Sequence, residues 1–206
     1  MKTLAILGAS GHGKVVADCA ELCGWQAVSF FDDAWPEKRI NGHWPIQGNT
    51  ADLLQRVREF DGVLVAIGNN TIRDAKLRAL LDADASVPVL LHPSSVVSRY
   101  ASLGPGSVVF AGAVVNADAR IGLGAIINTG ATVDHDCVLG DSVHVSPGAN
   151  LAGGVGVGDL SWLGIGSTVL QLVHIGSAVM VGAGAVVIAD VPDSVTVAGV
   201  PARAKP

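Results

Sequence analysis

Every sixth residue from Val97 to Val187 is valine, isoleucine or leucine: Val97, Leu103, Val109, Val115, Ile121, Ile127 and onward through sixteen consecutive positions. Four residues after each of them, from Ala101 to Val191, stands a small residue or a valine. A six-residue repeat of this kind is the signature of a parallel β-helix. Each hexad forms one short side and a turn; the aliphatic residue points inward and the small residue lets the turn close. Glycine often follows the aliphatic residue, as at Gly104, Gly122 and Gly140, where it is expected to relieve tight backbone geometry. Three hexads complete one coil of a triangular prism, so the chain returns to the same edge every eighteen residues. Sixteen hexads then make just over five coils, a prism about 25 Å tall at the ~4.8 Å spacing of paired strands.

The composition fits a core of this kind. Half of the residues are hydrophobic but only 4% are aromatic, and 26 of 206 are glycine. Stacked coils bury Val, Ile, Leu and Ala without needing large rings. No insertion interrupts the register, so a site has to be built from side chains on the prism faces. Charged residues make up only 15% of the chain, which points to surface covered by a further subunit.

Before the repeat the sequence alternates between strand and helix patterns, dividing the chain into regions 1–90 and 91–206. Strands are expected at Leu4–Leu7, Ala27–Phe31, Val63–Ile67 and Val87–Leu91, with helices at Val15–Cys23, Ala51–Glu59 and Ile72–Leu81. This pattern gives a parallel sheet of the Rossmann-like type, half the length of a full dinucleotide fold. Ligands bind such sheets at the carboxyl ends of the strands. Three clusters fall there: Gly8–Lys14 (GASGHGK), Asp32-Asp33, and Gly68-Asn69-Asn70. Glycines before a helix leave backbone N–H groups facing whatever sits at its N-terminus, which favours a phosphate. The spacing is G-x-x-G-x-G rather than the dinucleotide fingerprint, and a tight strand–helix turn is the plainer reading of the same residues. A carboxylate at the next strand end can accept a hydrogen bond from a ribose or a base, so a UDP-type group suits the region better than NAD.

The other features narrow the class. A net charge of −5 with no basic block argues against nucleic acid. No apolar stretch reaches the length of a membrane span, and the apolar run at the start ends in glycines like a first strand, not a signal peptide. Three scattered cysteines, Cys19, Cys23 and Cys137, match no metal-ligand spacing and suit a reducing, cytoplasmic setting. Cys137 occupies the inward small position of its hexad and reads as core.

Several segments together carry a resemblance: GASGHGK at 8–14, FDD at 31–33, AIGNN at 66–70 with Arg73, LHPSS at 91–95, INTGATVDHDCVLGD at 127–141, HVSPGANLAGG at 144–154 and GVPAR at 199–203. The chain resembles the hexapeptide-repeat acyltransferases. Within them it is most similar to the sialic-acid O-acetyltransferase-like branch that contains bacterial UDP-4-amino-sugar N-acetyltransferases. The resemblance implies a left-handed β-helix, a homotrimer with active sites between subunits, acetyl-CoA as co-substrate and no metal. It also implies residue roles: His135 as general base, Asp136 orienting its ring, Gly153 polarising the thioester carbonyl through its amide, and His144, Gly153, Ile165 and Gly182 beside the coenzyme. Ser10, Gly11, His12, Asp32, Asp33, Gly68, Asn69 and Arg73 would hold the UDP-amino-sugar. The spacing agrees, because His135 plus eighteen is Gly153 and His144 plus eighteen is Trp162.

The acceptor expected on this basis is the 4-amino group of a UDP-4-amino-4,6-dideoxy-N-acetyl-hexosamine. O-acetylation of a sialic acid or a related sugar is the alternative within the fold. A trimeric zinc carbonic-anhydrase-like protein of the same β-helix type, using His135, His144 and His174 across a subunit interface, and a catalytically silent sugar-nucleotide-binding subunit are readings of a different functional class.

Overall fold

The chain folds into two compact units, Met1–Pro93 and a second beginning at Ser94; the computed structural model describes residues 1–205. In the first unit, strand β1 (Thr3–Leu7) lies between β2 (Ala27–Phe31) and the later β5 (Gly62–Val65), all parallel. Leu4, Ala5 and Ile6 are fully buried, so β1 is a central strand covered on both faces. Helix α1 (Gly11–Leu22) crosses from β1 to β2 and buries Val16, Ala17 and Ala20. A short hairpin, β3 (Ile40–Asn41) with β4 (Trp44–Pro45), precedes α2 (Thr50–Arg56). Helix α3 (Asn70–Asp82) follows β5.

Two helices are capped as their sequences demand. Asn49 and Asp52 form a reciprocal capping box on α2, and the Asn69 side chain accepts from the Ile72 amide at the start of α3. Such a cap is worth about 0.5–2 kcal/mol.

The fourth strand expected at Val87–Leu91 does not join this sheet, which has three strands. The chain touches β5 through one bond, Val63 N–H to the Ser86 carbonyl at 2.8 Å. Pro88 then removes the N–H a ladder would need, and only Leu90–Leu91 is extended.

The second unit is a parallel β-helix of about six turns whose strands from Val96 to Val187 are two residues long. Val114 pairs with Thr132, Arg120 with Val138 and Ile126 with His144, each eighteen residues further on. The second residue of each strand faces inward: Val115, Ile127, Val133 and Val145 are at most 1% exposed. The small positions, among them Ala113, Ala125, Cys137 and Ala149, are fully buried. Each buried Val, Leu or Ile contributes about 1.5–3 kcal/mol over the exposed state, so the interior holds together without aromatic rings.

The glycine after each aliphatic residue proves to serve packing, not an unusual torsion. A Cβ on Gly104 would lie 2.6 Å from the backbone of Gly122 in the next coil. The left-handed torsion falls two residues later, once per hexad, at Gly106, Gly112, Asp118, Gly124, Gly130 and Asp136.

Candidate active site

His135 and Asp136 lie in the turn between strands Thr132–Val133 and Val138–Leu139, hence at the edge where two prism faces meet. Asp136 has φ 60°, a torsion that Asp tolerates because its short side chain can bond locally. Its Oδ2 is 2.7 Å from His135 Nδ1. The Asp136 carboxylate therefore reaches the ring. Nδ1–H donating to this carboxylate leaves Nε2 as the open acceptor. Behind the pair, Asp134 accepts from the His135 amide at 2.7 Å and from the Asn116 carboxamide at 2.7 Å. Those bonds, that of Asn116 first, hold Asp134 below the usual carboxylate range. The hydrogen bond to Asp136, together with the charge of Asp134, raises the His135 pKa above its ordinary value. Both His135 and Asp136 side chains are more than half exposed.

One coil further, Gly153 sits against the imidazole: a Cβ there would lie 2.6 Å from His135 Cε1 and Nε2. Any side chain there would have to displace the ring. The Gly153 carbonyl accepts from the Leu172 amide at 3.0 Å, and the Gly154 amide donates to the His135 carbonyl at 2.9 Å. The Gly153 N–H makes no hydrogen bond among the described residues. The peptide is thereby held by a bond on each side while this donor stays unpaired.

The residues expected beside the coenzyme divide. His144, Trp162 and Met180 stack in register on another face. His144 is 7% exposed; its ring lies 4.6 Å from that of Trp162, and Nε2 lies 3.2 Å from the Asn128 carboxamide. The Trp162 indole N–H donates to Ser146 at 2.8 Å. These residues line an open groove of about 390 Å³ with Ile165 and Gly182. Ile165 occupies the turn between Trp162–Leu163 and Thr168–Val169, so this groove borders a different edge from His135. Gly153 belongs with His135 and not with this groove, and the site expected from sequence is two half-sites in a single chain. His174 stands on the third face, packed over Gly156, so His135, His144 and His174 do not converge within the chain. Among the described residues no group of three or more His, Cys, Asp and Glu is gathered as metal ligands would be. Cys137 is buried, and burial raises its thiol pKa.

In the first unit, a pocket of about 210 Å³ opens at the carboxyl ends of β1, β2 and β5. Gly8 has φ +110° and approaches the Ala66 carbonyl; a Cβ on Gly13 would lie 2.4 Å from the Gly8 carbonyl oxygen. Those two glycines hold the turn together. Gly11, with nothing within 4 Å of its Cβ position, is free of that demand. No side chain caps the N-terminus of α1, although Ser10 stands at the cap position. The amides there are of the kind that anions occupy.

Both carboxylates expected at the second strand end are partly committed. Asp32 accepts from the Ala9 amide at 2.6 Å and the Ala34 amide at 2.9 Å. Asp33 accepts from the Thr50 amide and from Lys76, at 2.9 and 3.0 Å, and hydrogen bonds from Thr50 and then Lys76 hold its pKa low. His12 is pushed down to about 4 by burial, reinforced by the charge of Arg73, and is neutral near pH 7. Arg73, 1% exposed, donates to the Ile67 and Gly68 carbonyls and to Asn70 at 2.8–3.1 Å. It braces the β5–α3 loop from inside, with these donors spent on the chain itself. Asn69 spends its side-chain oxygen on the α3 cap, whereas Gly68 leaves open space at the pocket. Sequence reasoning missed Lys76 and Thr50, which carry no motif. It also missed Asn116 and Asp134, which the eighteen-residue return would have paired.

Residues 3–80 match the family profile described as the PglD N-terminal domain. The UDP-N-acetylbacillosamine N-acetyltransferase of Bacillus subtilis (strain 168) is 39% identical over 114 residues, 54% of this chain and 52% of that protein. The match thus spans about half the length of that curated relative. The acetyltransferase domain of PglB from Neisseria gonorrhoeae, in complex with acetyl coenzyme A, is 43% identical with a TM-score of 0.95, covering 99% of each chain. A His-to-Asn variant of the perosamine N-acetyltransferase of Caulobacter crescentus, in complex with CoA and GDP-perosamine, is 41% identical with a TM-score of 0.95, covering 100% of this chain and 98% of that one.

Proposed function

This chain belongs to the hexapeptide-repeat sugar acetyltransferases, and we propose that it moves an acetyl group from acetyl-CoA to the 4-amino group of a UDP-4-amino-4,6-dideoxy-hexosamine in the cytoplasm. The observation that carries this reading is the His135 imidazole, oriented by Asp136 at 2.7 Å and resting on Gly153, whose amide has no partner.

A neutral amine attacks the thioester carbonyl carbon. As the C–N bond forms, His135 Nε2 takes the proton, a contribution of typically 10²–10⁴ in rate. Negative charge gathers on the acyl oxygen, where the Gly153 N–H would meet it; one fixed donor is worth about 10²–10³. The C–S bond then breaks, and the thiolate of CoA recovers the proton from the imidazolium. Two electrons and one proton are accounted for at each end, and no covalent enzyme intermediate is needed.

The donor would lie in the groove of His144, Ile165 and Gly182, and the nucleotide in the pocket past Ser10, Gly11, His12, Asp32, Asp33 and Gly68. Since the groove and His135 border different edges of one prism, a complete site needs the groove of a neighbouring chain, which supports a homotrimer. The named relatives include a UDP-sugar enzyme and one bound to a GDP-sugar. The deciding assay therefore sets acetyl-CoA against UDP- and GDP-linked 4-amino and 3-amino sugars and sialic acid, reading free CoA. CoA release with a UDP-4-amino sugar is expected. Release only with hydroxyl acceptors would replace this reading with O-acetylation, and none at all would reduce the chain to a binding subunit.

A further inference from the structure

The glycine pair at positions 153 and 154 is covered by two side chains from neighbouring coils. His135, one coil earlier, lies on Gly153; Leu172, one coil later, has Cδ2 2.7 Å from where a Cβ of Gly154 would be. Leu172 is 79% exposed and has φ 61°, a torsion unfavourable for leucine. Other turns along the same edge carry Asp136 and Gly154 at this position, so the turn itself does not require a leucine. The side chain forms one lip of an open trough of about 420 Å³ on the adjoining face. Gly154, Gly156, Gly158, Val138, Val173 and His174 are among the residues that line it.

The following step rests on the reaction proposed above. The thioester carbonyl carbon is planar with three substituents. Its oxygen takes the Gly153 N–H. Its sulfur leads back along the coenzyme arm to the groove of the neighbouring chain. The acyl chain is left with the remaining direction, across Gly154 toward this chain's own trough. We infer that Leu172 is the acyl-length gauge of this enzyme: its side chain stands between the acyl carbon and the trough, admits a methyl group and turns away longer chains. The glycines and valines that dominate the trough's lining leave room for a short alkyl chain once the leucine is gone.

The test is Leu172→Gly in the full-length protein, with Leu172→Asn as a second variant. Glycine and asparagine both accept this torsion, so the turn keeps its shape. Calorimetric titration with acetyl-CoA and with butyryl-CoA needs no acceptor. Wild-type protein is expected to bind butyryl-CoA at least ~10-fold more weakly than acetyl-CoA, the scale on which added methylenes are discriminated. The gap should close to about threefold in Leu172→Gly. With the acceptor present, the ratio of the two kcat/KM values should move the same way. An equal preference in wild type and variant overturns the inference, as does wild-type protein that binds both thioesters alike. If the binding ratio shifts while no amino sugar is acetylated, Leu172 keeps this role and the acceptor reading falls.

Discussion

The His135 imidazole fills the space that any side chain at position 153 would need, with Cε1 and Nε2 both 2.6 Å from the missing Cβ of Gly153. The base is thereby set over the residue that carries the free amide by two adjacent coils, although eighteen residues separate them in sequence. Gly153→Ala should push the ring aside and lower kcat at least ~10-fold, while His135→Ala should lower it by ~10² or more. Because the ring is largely exposed, neither change should shift the melting temperature much. Nucleotide-sugar affinity, measured by calorimetry, should be retained in both. Normal turnover with weakened binding would contradict the role of His135.

The pH profile follows from the carboxylates. Asp136 and then Asp134 raise the pKa of His135, and the protonated ring cannot act as a base. Activity should therefore fall as pH drops through a value above that of an ordinary histidine. Asp136→Asn removes the largest cause while preserving a residue that accepts φ 60°. The acid limb of kcat/KM should then move to lower pH, with a reduced plateau because the ring loses its orienting partner. An acid limb left in place would mean that another group governs it.

In the first unit, Gly11 and Gly13, two positions apart, set a contrast. A Cβ on Gly13 would meet the Gly8 carbonyl oxygen at 2.4 Å and Phe30 at 2.9 Å, while Gly11 has open space. Gly13→Ala should cost about 1–3 kcal/mol by overpacking, read as a lower denaturation midpoint. Gly11→Ala should be neutral or stabilising by about 0.5–1 kcal/mol and should weaken nucleotide binding by crowding the amides of α1. Equal destabilisation by both would show that the turn, and not its contacts, is what matters.

Shared sites can be tested by mixing two inactive proteins. His135→Ala removes the base; Ile165→Glu, at a residue 62% exposed, places a charge in the apolar groove without disturbing the core. If each site takes its base from one chain and its groove from the next, randomly mixed trimers should recover about a quarter of wild-type activity. Recovery should fail if both half-sites act within one chain. Size measurement of wild-type protein should give three chains per particle.

Much of the fold was legible because it is periodic. A residue such as Val133 has one local instruction, to face inward, and the same instruction every six residues permits few shapes other than a stacked coil. Once the coil is eighteen residues long, the stacking of His135 with Gly153 and His144 with Trp162 is arithmetic. The N-terminal unit was legible element by element, except where Pro88 silently withheld a hydrogen-bond donor from a segment that otherwise reads as a strand.

What the sequence determined by itself was the coil and its register, and the motif around His135 singled that residue out as the candidate base. The tertiary structure alone decided which groups share an edge. It put Gly153 under the base and Ile165 beyond another corner, turned Arg73 inward to two loop carbonyls, and stood Leu172 over Gly154. The reason is physical: inward burial follows from residue type and period, but the direction of an outward side chain depends on the torsion of its turn and on neighbours one coil away.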